Sequence, residues 1–216
     1  MRIASLALAL CLVPPARAAE RRLIDEVVAV VDAHSITLSE VAAETRVRLV
    51  SSQGAAAAGM PLDRPILAAS LRKTIEERVV LSEMQRLKLF DLEPGELESL
   101  LARFRARFAS QADFDSFSRM VELTEEEIGA ILARELRVAR YLDNRLKLAA
   151  QLRDSELDEA TRGQKLAPLE REELRRRLSQ EKYQRLLAEL LADLRKRATV
   201  RVLDPLDGAA AVARER

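Results

Sequence analysis

The chain has 216 residues, 48% hydrophobic, 33% charged and 3% aromatic, with one cysteine, one histidine, no tryptophan and a formal charge of +1. So balanced a charge gives no global basic field and argues against non-specific nucleic-acid binding; so few aromatic rings argue against a base-stacking platform. Leu, Ile, Val and Ala supply enough apolar material for one or two helical domains.

Met1 and Arg2 open the chain, Ile3 to Val13 is an apolar run, Pro14 and Pro15 break it, and Ala16-Arg17-Ala18 has the small-x-small form of a cleavage site. This pattern predicts a secretory signal peptide over residues 1–18, cut after Ala18. The run is too short to cross a bilayer, which takes about 20 apolar residues. Cys11 follows Leu10 rather than a small residue, which argues against lipid attachment. Its removal leaves no cysteine and hence no disulfide. Losing Arg2 and Arg17 and no acid lowers the formal charge by two, from +1 to −1.

Val27 to Val31 is a short β-branched run that predicts a buried strand. Asp32-Ala33-His34-Ser35 reads as a turn, and Ile36 to Leu38 as a brief return strand. Thr37-Leu38-Ser39-Glu40 fits a capping box, flanked by Ile36 and Val41 as a hydrophobic staple, and starts a helix to about Ser52. Gly54 to Pro65 is rich in Ala, Gly and Pro and reads as a loop whose composition allows disorder, and residues 53–60 have two readings, a lid or an idle insertion. A helical face then runs from Ile66 to Phe90 through Leu67, Leu71, Ile75, Val79, Val80, Met84 and Leu87.

Pro94 sits at the next helix start, on a helix carrying Leu97, Leu100, Leu101, Phe104 and Phe108. Ser110 caps a shorter helix with Phe114, Phe117 and Met120. Thr124 to Glu127 is a second capping box, opening a helix with Ile128, Ile131, Leu132, Leu136, Ala139, Leu142 and Leu146 that ends near Ala150. A weak helical piece spans Asp154 to Gly163. Pro168 opens the last long helix, whose face is Leu174, Leu178, Tyr183, Leu187, Leu190, Leu191 and Leu194. Glu172–Arg176, Glu173–Arg177 and Glu181–Arg185 have the favourable i, i+4 order. Ala198 to Leu203 returns to strand character, and residues 204–216 read as a flexible tail.

An isolated hairpin is marginal in water. The economical fold pairs the last strand with the first. Closing a loop of about 170 residues costs roughly 4–5 kcal/mol, which helix packing must offset. The expected fold class is therefore mainly α: one multi-helix domain over residues 19–203, held by a small β-clasp of strands near the two mature termini.

The segments "LIDEVVAVVDAHSITLSEV", "LRKTIEERVVLSEMQRLKL", "LTEEEIGAILARELRVARYLDNRL" and "LSQEKYQRLLAELLADLRKRATVRVL", in that order behind a signal peptide, resemble SurA-type periplasmic chaperones. The likeness covers about residues 23–203: the amino-terminal domain of that family and its returning carboxy-terminal helix and strand. It implies a periplasmic protein that binds unfolded polypeptide without ATP. There are two departures. The turn lacks the Asn or Gly usual there. The seventeen residues between Ala150 and Pro168 cannot hold a parvulin isomerase domain, which needs roughly 90–100 residues.

The residues themselves offer no catalytic constellation. His34 has no second histidine or cysteine to form a dyad, triad or metal set, and reads as an exposed turn residue. Glu125-Glu126-Glu127 suits a helix N-terminus. No phosphate-binding glycine loop is present. The run Arg175-Arg176-Arg177 is interleaved with acids and reads as a solvated face. No cofactor, metal or nucleic-acid partner is expected. Phe104, Phe108, Phe114, Phe117 and Met120 fall on two adjacent helices, and have two readings: part of a groove for unfolded chain, or ordinary core. The functional expectation is a periplasmic holdase without isomerase activity, helping outer-membrane proteins avoid aggregation. The alternatives are an envelope adaptor holding one folded partner and a residual prolyl isomerase.

Overall fold

The computed structural model describes residues 25–88, 92–93, 95–162 and 167–207. The expected signal peptide with Cys11, and likewise Phe90, Pro94, Gly163 and the tail beyond 207, lie outside the described residues.

The three strands are β1 (Val27–Val31), β2 (His34–Thr37) and β3 (Val200–Val202), antiparallel in the order β2-β1-β3. The two ends of the chain therefore do pair, with Ala29 opposite Val202, Val30 opposite Arg201 and Val31 opposite Val200. As the central strand, β1 loses both edges to partners and buries Val28, Ala29 and Val31, which explains its nearly unbroken apolar run. The β1–β2 turn is only Asp32-Ala33. His34 and Ser35, expected in the turn, are exposed residues of β2. Asp32 takes a left-handed φ of 53°, which aspartate tolerates better than most residues, so no glycine is needed.

Helix α1 (Leu38–Gln53) starts at the expected cap. The Glu40 amide donates to Thr37 Oγ1 at 3.3 Å, and Ile36 and Val41 are both fully buried. Only half of the expected box forms, because the Glu40 carboxylate turns to Arg78 instead of returning to the Thr37 amide. Gly54 ends the helix at φ 90°. The expected loop is then a 3-10 helix over Ala55–Gly59 with Ala57 buried. The Arg46 guanidinium donates to the carbonyls of Ala58 and Met60, which ties the segment to α1 and removes the case for a lid.

Helix α2 (Arg64–Arg86) begins before the expected Ile66 because Asp63 caps it, accepting from the Ile66 amide at 3.0 Å, with Pro65 in the first turn. Next come α3 (Glu96–Arg105), α4 (Gln111–Val121), α5 (Glu125–Ala150), α6 (Asp154–Thr161) and α7 (Pro168–Arg197). The Ser110 cap and the Thr124–Glu127 box form as read; in the box the Thr124 amide donates to Glu127 Oε2 at 2.7 Å, and the Glu127 amide to Thr124 Oγ1 at 3.2 Å. Helix α3 crosses α5 at Gly129, where an added Cβ would stand 3.2 Å from a Leu97 methyl.

Two apolar cores result. One gathers the sheet, α2, the second half of α5 (Val138, Tyr141) and Leu194 of α7. The other gathers Val47 and Val50 of α1, the α3–α4 phenylalanines and the first half of α5. Leu206, placed in the expected tail, is buried in the first core, and its amide donates to Asp204 Oδ1 at 2.8 Å.

Candidate functional site

The phenylalanines do not form an open groove. Phe104, Phe114 and Phe117 are each 3% exposed, and Phe108 is half-buried against them. Ring centroids lie 5.3–6.4 Å apart, with Phe104–Phe114 and Phe108–Phe114 edge to face. This is how aromatic cores pack. Met120 alone of the five is exposed, at 46%. The groove expectation is therefore corrected for the three buried rings: they hold α3 and α4 onto α1 and α5.

A charged layer lies between the two cores. Glu44 of α1 is 1% exposed, and four side chains donate to it: Arg78 at 2.9 Å, Arg48 at 2.9 Å, Thr74 at 3.1 Å, and Arg134. Arg48 also reaches Glu77 at 2.7 Å and Glu135 at 2.8 Å. The layer joins α1, α2 and α5. Burial alone would raise the Glu44 carboxyl, but Arg134, Arg78 and Arg48 hold it below the usual carboxylate range. For Glu77 burial prevails over Arg48 and the carboxyl is pushed up. Helical spacing along the chain carries no sign of this layer beyond Thr74, Glu77 and Arg78 lying among the apolar positions of α2.

The open surface lies along α7. Of the seven residues expected on its apolar face, only Leu194 is buried; Leu174, Leu178, Tyr183, Leu187, Leu190 and Leu191 are half-buried. The helix rests on α5 and α2 without being enclosed. A cleft of about 440 Å³ runs between α2 and α7, over Ile75 and Val79 on one wall and Leu187, Ala188 and Leu191 on the other. A second, of about 330 Å³, lies between α2, α5 and α7, over Val80, Val138, Leu142, Leu187 and Leu191. Leu187, Leu191 and Glu76 border both, so the two clefts adjoin. From Gln184 to Arg195 the first spans about 16 Å of helix, the length of about five extended residues.

The amino-terminal half of α7 is held differently, by α6. Arg175 meets Asp154 at 2.6 Å, Arg171 meets Asp158 at 3.0 Å and Lys182 meets Glu156 at 2.8 Å, with Leu157 fully buried beneath. Within α7 the pairs that form are Arg175–Glu172 and Arg177–Glu181, both at 3.8 Å, and Arg197–Asp193, rather than the three read from i, i+4 spacing.

Among the described residues no group of three His, Cys, Asp or Glu side chains is placed to hold a metal, and no helix is long and apolar enough to cross a membrane. No protein-family model and no curated protein matches the chain.

Proposed function

We propose that the chain is an ATP-independent, SurA-type holdase that shields extended apolar segments of unfolded exported proteins in the adjoining clefts between α2, α5 and α7. The reading rests on the ordered resemblance of four sequence segments and on one structural observation: an apolar helix face of 30 residues in which only Leu194 is buried. A fully buried leucine gains about 1.5–3 kcal/mol over an exposed one. Each half-buried leucine of α7 thus keeps roughly 1 kcal/mol available to a ligand. A client segment lying along Leu187 and Leu191 would collect that energy without any client-specific hydrogen bond, which suits a binder of many sequences. No catalytic step is part of this reading.

The test is light scattering of an unfolded outer-membrane β-barrel protein diluted from urea, with and without residues 19–216 of the chain. The proposal expects suppression of aggregation for several unrelated clients, at near-equimolar ratio and without nucleotide. Scattering that is unchanged for every client contradicts it.

A further inference from the structure

A third cleft, of about 360 Å³, lies between α3 and α5 and adjoins the α2–α5–α7 cleft at Glu135 and Ala139, which line both. The floor there is apolar: Leu100, Phe104, Leu132 and Leu136. Its rim carries Arg103 of α3 and Arg107 in the turn that follows it, both exposed and, among the described residues, in no ion pair with a carboxylate. Their neighbours are committed: Arg105 to Glu125, and Arg140 to Glu96. Ser51 borders the same cleft, and its buried Oγ has no hydrogen-bond partner within the protein.

Glu76, Glu77 and Glu135 line the middle section together with Lys73, and Arg48 pairs with both Glu77 and Glu135; Glu135 also borders the α3–α5 cleft. A carboxylate on a ligand gains least there and most at guanidinium groups that, among the described residues, have no ion pair: Arg103 and Arg107 together in the α3–α5 cleft, and Arg195 alone in the α2–α7 cleft. Guanidinium is also the side chain best shaped to take a carboxylate through two parallel hydrogen bonds.

We infer that the α3–α5 cleft is the acid-reading end of the groove: it takes a carboxylate of the bound polypeptide against Arg103 and Arg107, while the adjacent apolar side chain rests on Leu100 and Leu136. The inference depends on the polypeptide-binding reading above and adds a register to it. Segments in which apolar residues are followed by an acid are preferred over equally apolar neutral ones, because the acid fixes which way and how far along the groove the chain lies.

The experiment is fluorescence anisotropy with two labelled apolar peptides that differ only in having two terminal Glu residues or two terminal Gln residues. The expected result is about tenfold tighter binding of the Glu peptide at low salt, an advantage that shrinks at about 0.5 M salt and vanishes in the Arg103→Gln/Arg107→Gln variant. Both arginines are exposed, so the variant keeps its melting curve; Arg195→Gln, at the far end of the α2–α7 cleft, leaves the advantage intact. Equal affinities for the two peptides overturn the acid-reading end and leave the holdase reading standing, as does an advantage abolished by Arg195→Gln instead. Binding of neither peptide overturns both.

Discussion

Asp32 and Thr199 hold each other across 167 residues of chain. The Asp32 amide donates to the Thr199 carbonyl at 2.8 Å, and the Thr199 amide donates back to Asp32 Oδ1 at 2.8 Å. The other carboxylate oxygen accepts from Ser82 Oγ of α2 at 2.5 Å. One left-handed turn residue thus joins the first hairpin, the longest amino-terminal helix and the start of β3. Asp32→Ala removes both acceptors and the tolerance for positive φ, and is expected to lower unfolding free energy by about 1–3 kcal/mol. Urea melts at pH 7 measure this, and a change within about 0.5 kcal/mol, the usual surface range, would show the clasp to be held elsewhere.

The same aspartate carries a pH signature. Ser82 and the Thr199 amide hold its carboxyl below the ordinary value. A depressed folded pKa contributes stability that is present above the unfolded pKa and is lost as pH falls through the folded one. Asp32→Asn is therefore expected to lose less stability than the parent chain between neutral pH and about pH 3, the region of carboxylate titration.

Glu44 and Glu77 are expected to answer mutation unequally. Glu44→Gln leaves Arg134, Arg78 and Arg48 short of a buried counter-charge and is expected to cost about 3–5 kcal/mol. Glu77 has a raised pKa because burial outweighs Arg48. Its destabilising contribution is absent below the unfolded pKa and grows as pH rises towards the folded one. Glu77→Gln is expected within about 1 kcal/mol of the parent chain at pH 7, or above it. Comparable large losses in the two variants would mean that the layer acts as a single unit rather than around Glu44.

The phenylalanine cluster is expected to behave as core. Phe104→Ala and Phe117→Ala should each cost about 3–5 kcal/mol, while Met120→Ala stays within about 0.5 kcal/mol. Calorimetric melts decide, and unchanged melting for Phe104→Ala and Phe117→Ala would restore those rings to a binding role.

Most of the fold was legible in local chemistry. Ser110, Thr124 and Pro168 each announced a helix start, and β-branched runs at both ends announced the clasp. Asp63 was missed because the Ala, Gly and Pro residues around it suggested a loop, and a cap is recognisable only beside a recognised helix. Spacing placed Phe104 to Phe117 on two adjacent helices, although α3 ends at Arg105 before Phe108, and spacing carries no sign for inside or outside. The charged layer was illegible for a related reason. Glu44, Arg48, Arg78 and Arg134 sit on three helices, and each is unremarkable until packing brings them together. The resemblance implied a last helix that returns onto the amino-terminal ones; the cleft walls at Ile75, Val79 and Val138 required the three helices to be placed.

The most direct test of the polypeptide-binding cleft is site-specific photo-cross-linking. A benzoylphenylalanine cross-linker placed at Ala188, exposed on the cleft wall, is compared with one at Arg119, exposed on α4. Both are irradiated with an unfolded client in excess. The account predicts strong adducts from position 188, weakened by Ala192→Glu in the same cleft, and background from position 119. Equal labelling from the two positions, or labelling from 119 alone, would contradict it.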